Sequence, residues 1–525
     1  MSSPVQDRAE RLNESGVFVA KPYERLSLEQ IDLIDKTSLA LLEKPGILCY
    51  HEESVSILEK AGSKVRATRE GEHDAWWVSI PARAVKEALD TAPARIILGA
   101  RKPEHRIILD AEEHRVHFGT GSETNYWMEV KPEAFVSKED GHERHFPLMK
   151  KNRGSLEYLC RSARLAEQLE NLDFFIRNVN VQDADITTEN KDVNVFFAAL
   201  NNLTKPVISG VADYEQLQKV VDMAEIITGG RDALIENPII SFITSVIKSP
   251  LQVVAETAEK LIGIARLGLP VVISTSPQGG STAPIDEFGM VAQVNAEALA
   301  GITIHQLAKP GAPVIYGAVP VRARMDDLHD MYGVPEFCHY TMACAQMARY
   351  YKVPCYSTAG VGDARVPGIQ ATVEKMLTHT MIPSAAPGLV HYAFGLLEKT
   401  QTFCPEQAVL DNHQIGMTKF LYRESGINDE AADRTKEMIE EVMHSPYRMY
   451  ARYARGMLRR GEIYPGFPFE GELDDQDQTL LVVHQQLKEL EAVAPQHLPE
   501  EICKQIFEKI PGLLPRLNPY REDLR

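Results

Sequence analysis

Short apolar runs alternate with longer amphipathic stretches through the central half of the chain. Between about Ser155 and Tyr422 each run is rich in β-branched residues, and a stretch with helical spacing follows it. Uninterrupted apolar strands that alternate with helices predict a parallel sheet buried on both faces. The eight runs are Asp173–Val179, Pro206–Val211, Ile239–Val246, Pro270–Ser276, Pro313–Val319, Pro354–Ala359, Gly388–Tyr392 and Gln407–Asp411. Eight such units in ~270 residues favour an α/β protein with a (β/α)₈ TIM barrel over an open doubly wound sheet, which the pattern leaves as the alternative.

The chain has different patterns before and after this region. Leu26–Glu43 has helical spacing behind Ser27, and Gln30 completes a capping box. Short alternating runs and further helical stretches follow up to about residue 150, whereas the last part of the chain is helical and charged. We therefore expect an N-terminal α+β segment packed on the barrel (1–150), the TIM barrel (151–425) and a helical C-terminal extension (426–525).

Composition narrows the class of protein. The chain has 525 residues, with 56 Lys and Arg against 74 Asp and Glu, and a formal net charge of −18. This acidity argues against a nucleic-acid partner, which normally requires a basic surface. Seven cysteines are scattered without a CxxC pair, as in proteins of reducing compartments. The start of the chain lacks a signal-peptide pattern and no apolar stretch is of membrane-spanning length, so we expect a cytoplasmic protein without a membrane partner.

The ends of the predicted strands are poor in the groups of standard hydrolytic mechanisms. The motifs GxSxG, HExxH and GxxxxGK[ST] do not occur. The turn Gly279–Thr282 precedes a helix, and it either binds an anion on free N–H groups or forms a tight turn with Thr282 as the N-cap. Cys338 and Cys344 lie six residues apart on a predicted helix and point in different directions, so they cannot chelate one zinc ion. We expect no metal bound by this chain.

The predicted helix Ile285–Leu307 is apolar on two sides. Such a helix is usually covered by a second subunit or domain, and we expect a homo-oligomer. Its Asn295 and Glu297 are polar, but Glu297 lies ~18 Å along the helix from the strand ends. We therefore expect structural roles for both side chains.

Aromatic residues recur near the predicted strand ends. The segment Gly121–Trp127 (GSETNYW) contains Glu123, Tyr126 and Trp127, and the further members of the set are Tyr316, Tyr356, Tyr392 and Phe403. Several aromatic faces around a barrel mouth would suit a quaternary ammonium group, which is held by cation–π attraction. Arg365 and His391 could pair with a carboxylate on the same ligand. The alternatives are packing in the core for each aromatic ring, a surface ion pair for Arg365 and a hydrogen-bonded buried histidine.

Several separated motifs carry a resemblance to a known family. The segment Gly279–Tyr316 contains NAEALAG followed by KPGAPVIYG, and it looks like the signature stretch of the trimethylamine methyltransferase family. The stretch LSLEQIDLIDKTSLALLEKPGI near the start, Lys248–Leu251 (KSPL) and Gly362–Lys375 (GDARVPGIQATVEK) are also similar to that family. The resemblance covers roughly residues 25–425.

The resemblance implies a TIM barrel that moves a methyl group from a methylamine to a corrinoid (cobalamin) carried by a separate protein. The family archetype has pyrrolysine near the position that Gly362 occupies here, so this chain resembles the branch without pyrrolysine, which includes glycine betaine:corrinoid methyltransferases. The loops expected to face the corrinoid contain Gln278, Gly279, Gly280 and Ser281, and Gly362 and Asp363. Cobalt(I) is a strong nucleophile and a quaternary ammonium carries a neutral leaving group, so positioning would be the main contribution of the protein.

The C-terminal part departs from the family pattern. Ser445–Arg460 has five Arg and no acidic residue. It could dock the corrinoid protein or cover a neighbouring subunit, or it forms an amphipathic helix with Tyr447, Tyr450 and Met457 packed inward. Two other functions remain open from the sequence, namely a zinc-dependent TIM-barrel methyltransferase and a non-catalytic betaine-binding protein.

Overall fold

A computed structural model describes residues 15–521 apart from 122, 137, 139–140, 467 and 469–477. Its strands are β1 Val17–Phe18, β2 Ile47–Cys49, β3 Lys64–Glu70, β4 His73–Ser79, β5 Arg95–Leu98, β6 Ile107–Asp110, β7 Arg115–Phe118, β8 Tyr126–Val136, β9 Glu143–Arg153, β10 Phe175–Ile176, β11 Val207–Ser209, β12 Ile240–Thr244, β13 Ile247–Lys248, β14 Gln252–Val253, β15 Val271–Thr275, β16 Gln278–Gly279, β17 Val314–Ala318, β18 Val321–Ala323, β19 Asp330–Met331, β20 Cys355–Thr358, β21 Leu389–His391, β22 Leu396–Leu397 and β23 Thr402–Phe403.

The helices lie between and after these strands. They are α1 Leu28–Glu43, α2 Glu52–Lys60, α3 Ala82–Thr91, α4 Leu156–Gln168, α5 Lys191–Leu200, α6 Tyr214–Thr228, α7 Arg231–Glu236, α8 Ala255–Leu267, α9 Glu287–Ala308, α10 Pro335–Tyr350, α11 Ile369–Met381, α12 Pro405–Leu421, α13 Asp429–His444, α14 Ala451–Arg459, α15 Gln478–Glu491 and α16 Glu500–Lys509. The predicted capping box of α1 is confirmed, since the Ser27 side chain accepts from the Gln30 N–H and the Gln30 side chain accepts from the Ser27 N–H. Short 3₁₀ turns occur at Pro103–His105, Pro383–Ala385 and Pro515–Leu517.

The central sheet is built mainly from parallel strands. Its order is β1-β7-β21-β20-β17-β15-β12-β11-β10, and every pair from β7 to β10 is parallel, while β1 runs antiparallel to β7. A parallel bridge joins Gly119 to Phe174, and the Asp173 N–H donates to the Phe118 carbonyl over 2.7 Å. These contacts connect the chain beyond β7 with the chain before β10. The fold is a mixed α/β fold with a curled, largely parallel sheet.

Seven of the eight predicted runs contain strands of this sheet. The prediction of a strand at Gln407–Asp411 is wrong, because these residues lie inside α12, which begins at Pro405. A short apolar run has no clear period, so a buried helix turn and a buried strand look alike in the sequence. The remaining parallel strand is β7, which comes from the N-terminal part of the chain and pairs His117 with Leu389.

A separate apolar cluster fills the inner face of the sheet. It contains Ile176, Ile208, Val272, Ile315, Tyr356 and Leu389 from six strands, together with residues of the hairpin β5–β6. This hairpin contacts the chain just before β11 and β12, since the Arg101 N–H donates to Thr204 O and the Gly99 N–H to Pro238 O. The hairpin therefore lies over the amino ends of the strands, and the carboxyl ends remain open to a ligand.

Helix α9 is buried along almost its whole length and is covered by the N-terminal helices of the same chain. The Ser38 hydroxyl of α1 donates to the Ala292 carbonyl, and Asn295 Nδ2 donates to the Ser38 oxygen over 3.0 Å. Glu297 accepts hydrogen bonds from Ser249 Oγ (2.7 Å) and from the Leu251 N–H (3.1 Å). Burial raises the pKa of this carboxyl, and its hydrogen bonds oppose the rise. Both polar side chains are thus held in local hydrogen bonds, and the division of the chain into three parts stays a prediction.

Two regions outside the sheet were not anticipated in detail. The strands β8 and β9 form a long antiparallel hairpin whose outer half is exposed. The basic segment contains α14, but the prediction that Tyr447, Tyr450 and Met457 pack inward is wrong, since Tyr447 is 83% exposed and the other two are also exposed. Among the helices that the structure describes, none is long and apolar enough to cross a membrane.

Candidate active site

A cavity of about 280 Å³ lies at the carboxyl ends of the parallel strands. Residues from these strands and the loops after them form its wall, and they are Glu123, Ile176, Arg177, Ser209, Gly210, Ile243, Ser245, Ser274, Ser276, Val319, Tyr356, His391 and Tyr392. The volume is just below the ~300 Å³ at which pockets for drug-sized ligands begin. The cavity therefore suits a small ligand, and it contains four of the residues predicted from the sequence, namely Glu123, Tyr356, His391 and Tyr392.

One wall of the cavity is aromatic. The His391 ring stacks on Tyr356 with centroids 4.0 Å apart and 21° between the planes, and it lies 3.9 Å from the Tyr392 ring at 57°. His391 Nδ1 donates to the Ser357 carbonyl over 2.6 Å, because a carbonyl oxygen can only accept. Burial lowers the pKa of His391 to about 3, so the ring is neutral near pH 7. The wall consequently presents π faces without a positive charge.

The backbone is shaped to bring these rings together. Tyr392 has a φ of 64°, in the left-handed region that non-glycine residues seldom adopt and that often marks a functional site. At Gly121 a Cβ atom would come within 2.5 Å of Tyr392 Cδ1 and 3.0 Å of His391 Cδ2. Any residue larger than glycine at position 121 would therefore displace the aromatic wall.

Charged groups lie beside the aromatic wall. Glu123 forms ion pairs with Arg177 (2.8 Å) and Lys191 (3.0 Å). Burial would raise the pKa of Glu123, but these two cations outweigh it and hold the pKa below its usual range. Asp192 lies near Arg177, and burial raises its pKa although Arg177 and two backbone N–H groups oppose the rise. Glu123 is thus an ionised carboxylate on the edge of the cavity, and Arg177 and Lys191 balance its charge.

Another part of the lining carries serine hydroxyl groups. Ser245 follows β12, and Ser274 and Ser276 come from the end of β15. Ser209 donates to Gly210 O over 3.2 Å. Sequence reasoning missed these serines and Arg177. The two-residue spacing of Ser274 and Ser276 was the available signal, because side chains two apart on a strand share a face.

Several predicted ligand residues lie elsewhere. Tyr316 is buried between the sheet and α9, where its hydroxyl donates to Asn295 Oδ1 over 3.1 Å, and burial raises its pKa. Trp127 packs between Tyr158 (4.8 Å between centroids) and Phe403 (5.3 Å) in a cluster that does not line the cavity. Tyr126 lies under Lys151 Nζ, and Arg365 is exposed. The structure does not bring these five residues to the aromatic wall.

The two loops predicted to face a corrinoid contact the same segment, residues 321–333. Gln278 and Gly279 form β16, which pairs with β18, and Gln278 Nε2 donates to Leu328 O over 2.7 Å. Asp363 accepts from the N–H groups of Tyr332 (3.1 Å) and Gly333 (3.0 Å), and burial raises its pKa against these bonds. Hence the turn at Gln278–Ser281 and the loop at Gly362–Asp363, which are far apart in the sequence, both contact the segment 321–333.

The backbone of these loops bends sharply at the predicted positions. Gly280 has a φ of 92°, and the Ser281 N–H donates to Gln278 O. Gly362 donates its N–H to Leu396 O. Thr282 is not the N-cap of α9, which is Asp286, and its hydroxyl instead accepts from the Gln278 N–H over 2.9 Å. Within the described ranges there is no cluster of three or more His, Cys, Asp or Glu side chains suited to a metal ion.

The structure is thus an α/β protein with a small cavity at the carboxyl ends of its parallel strands. A family model described as trimethylamine methyltransferase (MTTB) matches residues 5–449. The chain therefore belongs to the trimethylamine methyltransferase family, and the resemblance seen in its motifs is confirmed.

Curated relatives agree with this membership. A trimethylamine methyltransferase MttB of Desulfitobacterium hafniense is 28% identical over 406 residues, which cover 77% of this chain and 75% of the relative. A glycine betaine methyltransferase of the same species is 26% identical over 421 residues, covering 80% and 81%. MttB1 of Methanosarcina mazei is 28% identical over 406 residues, covering 77% of each chain. The prediction of a methyltransferase enzyme is confirmed.

A solved dihydropteroate synthase of Xanthomonas albilineans is a more distant neighbour. It aligns with a TM-score of 0.31 and 11% identity, covering 62% of this chain and 97% of that one. A likeness at this level supports no inference about function.

Proposed function

We propose that this enzyme demethylates a quaternary amine, with glycine betaine as the favoured substrate, and passes the methyl group to the corrinoid of a separate protein. The single observation that carries this proposal is the neutral aromatic wall of Tyr356, His391 and Tyr392 beside the ionised Glu123. A quaternary ammonium cannot donate a conventional N–H hydrogen bond, so the π faces of the aromatic wall are the groups that attract it. A relative that acts on glycine betaine supports the same substrate class.

The proposed reaction requires little acid–base chemistry from the chain. A reduced corrinoid supplies the nucleophile when the partner is bound. As the N–CH₃ bond breaks, its electron pair stays on nitrogen and the product leaves as a neutral tertiary amine. No proton has to move, and His391 is not needed as an acid. The task of the cavity is to hold the methyl group in line and to exclude water, as positioning alone can supply much of a rate enhancement.

We further propose that the parallel strands close as a (β/α)₈ barrel in the order β7, β10, β11, β12, β15, β17, β20, β21. The bridge from Gly119 to Phe174 and the hydrogen bonds of Phe118 O support this closure. In a barrel of this kind the active site lies at the carboxyl ends of the strands, where the cavity is.

The corrinoid protein would dock at the rim formed by the turn Gln278–Ser281 and the segment 321–333. Apolar side chains are exposed around this turn, namely Ile285, Met325 and Leu328. A Cβ atom at Gly280 would lie 2.5 Å from Met325 Cε and 3.5 Å from Ile285 Cδ1, so these side chains adjoin the turn. Exposed apolar patches commonly mark protein–protein contacts. Gly362 and Asp363 would hold the corrinoid from the other side of the segment.

The test mixes the purified chain with a reduced corrinoid protein and follows the loss of the cob(I)amide absorbance. Glycine betaine, carnitine, proline betaine and trimethylamine are added separately. We expect turnover with glycine betaine, and no reaction with any of the four would contradict the proposal. Met325→Glu should raise the KM for the corrinoid protein without weakening betaine binding. Met443→Glu on the exposed face of α13 is the matched control and should change neither.

A further inference from the structure

The cavity has two chemically different sides, and their separation bears on which quaternary amine it accepts. The aromatic rings come from β20 and β21, whereas Ser245, Ser274 and Ser276 come from β12 and β15. In the proposed barrel order, β12 is four strands from β21 in either direction. Ser245, after β12, therefore faces His391 across the cavity, whereas Ser274 and Ser276 at the end of β15 lie two strands from Tyr356 and three from His391. Arg177, on the loop after β10, is two strands from both β12 and β21.

The cavity lining has unused hydrogen-bonding capacity at Arg177. Ser274 is only 6% exposed and lines the cavity. Arg177 is 8% exposed, and its Nε and Nη1 have no partner within the described part of the chain. Buried donors without partners are costly, since each loses its bonds to water, and a bound acceptor would restore them.

Charge balance also favours a zwitterion. Arg177 and Lys191 are cationic, while Glu123 and Asp192 are carboxylates, so these four groups sum to no net charge when all are ionised. A simple ammonium ion would add an uncompensated positive charge to this partly enclosed site. A ligand with its own carboxylate would leave the balance unchanged, with its ammonium group at the aromatic rings and its carboxylate near Arg177 and the serine hydroxyl groups.

We propose that Ser245, Ser274 and Ser276, with Arg177 beside them, bind the carboxylate of a zwitterionic substrate while the aromatic wall holds its trimethylammonium group. This inference rests on the proposed function and assigns its specificity to named residues. Hydroxyl and guanidinium donors form the stronger, charge-assisted kind of hydrogen bond to a carboxylate. The substrate class is thus a short betaine rather than an amine without an acidic group.

The experiment is isothermal titration calorimetry of the full chain with three probes. Glycine betaine carries both groups, choline replaces the carboxylate by a hydroxyl, and tetramethylammonium is the head group alone. We expect the wild-type chain to bind glycine betaine at least about tenfold more tightly than tetramethylammonium, since hydrogen bonds to charged groups are individually worth about one to two decades in affinity.

The double substitution Ser274→Ala with Ser276→Ala should lower the affinity for glycine betaine about ten- to a hundredfold and leave that for tetramethylammonium within about twofold. Ser245→Ala should act in the same direction. Ser241→Ala is the matched control, because Ser241 lies within β12, four residues before Ser245, and does not line the cavity. Thermal melting of each variant confirms that it is folded.

Failure of the inference can be told apart from failure of the proposed function. If the wild-type chain binds tetramethylammonium as tightly as glycine betaine, or if the serine substitutions weaken both alike, the carboxylate subsite is refuted and the quaternary-amine site stands. If none of the three probes binds, the proposed function fails as well. Arg177→Gln should weaken glycine betaine more than tetramethylammonium, and an equal loss would mean that Arg177 acts only by holding Glu123.

Discussion

The buried ion pair between Lys375 and Asp411 should be essential for the stability of the aromatic wall. Both side chains are fully buried, with 3.0 Å between Lys375 Nζ and Asp411 Oδ2. Lys375 Nζ also donates to Gly360 O, and Asp411 Oδ2 accepts from the Gly395 N–H over 2.7 Å. Gly360 follows β20 and Gly395 follows β21, so the pair links the two loops that come after the strands bearing the aromatic rings.

Lys375→Met removes the cation and leaves the Asp411 carboxylate buried, with the Gly395 N–H and Gln407 Nε2 as its remaining donors among the residues that the structure describes. Breaking a buried pair in this way costs about 3–5 kcal/mol, because the remaining charge has no counter-ion. Burial lowers the pKa of Lys375 although Asp411 opposes this, which reflects the same desolvation. We expect a lower urea midpoint and weaker binding of glycine betaine.

Urea unfolding, followed by circular dichroism, measures the effect. The double variant with Asp411→Asn removes both charges and should be more stable than Lys375→Met alone. Lys36→Met is the control, since Lys36 pairs with Asp32 on the surface and should leave the unfolding curve unchanged. The reasoning is refuted if Lys375→Met costs under about 1 kcal/mol, or if the double variant loses the sum of the two single effects.

Three further predictions concern stability. Burial lowers the pKa of four histidines to about 3 or 4, namely His117, His305, His379 and His391. Below about pH 6.5 these histidines are protonated in the unfolded chain but stay neutral in the folded chain. Each histidine should therefore lower the free energy of unfolding by up to about 1.4 kcal/mol per pH unit as the pH falls from about 6.5 towards the pKa of the folded state. A urea midpoint that stays constant between pH 6.5 and 5 would contradict this prediction. Tyr316→Phe leaves Asn295 Oδ1 without its donor and should cost about 1–3 kcal/mol in unfolding experiments; a loss of betaine affinity instead would place Tyr316 at the ligand. Ser27→Ala removes the cap of α1 and should cost about 0.5–2 kcal/mol, whereas an unchanged melting curve would show that the capping box is dispensable.

The sequence predicted most of the sheet because its strands are continuous apolar runs. It indicated a short alternating run at Val116–Phe118 in the N-terminal segment but did not place it in the central sheet, because that pairing of β7 is with a strand far along the chain. For the site, Tyr356, His391 and Tyr392 could be predicted from their positions at strand ends. The sequence could not distinguish Tyr316 from these residues. The face of the sheet on which a strand side chain lies depends on the register of the strand, and a shift of one residue reverses that face.

Strand β7 has a consequence for synthesis of the chain. Its parallel partner β21 lies about 270 residues later, so at about 5–20 residues per second the ribosome needs roughly 15–55 s to supply it. During this interval the edge of β7 that pairs with β21, at His117 and Phe118, has no partner. The edge of β20 that pairs with β21 is also unpaired. An incomplete chain that ends before Leu389 would thus expose two strand edges with unpaired backbone N–H and C=O groups. Such edges are templates for pairing with another chain, so we expect these fragments to be prone to aggregate.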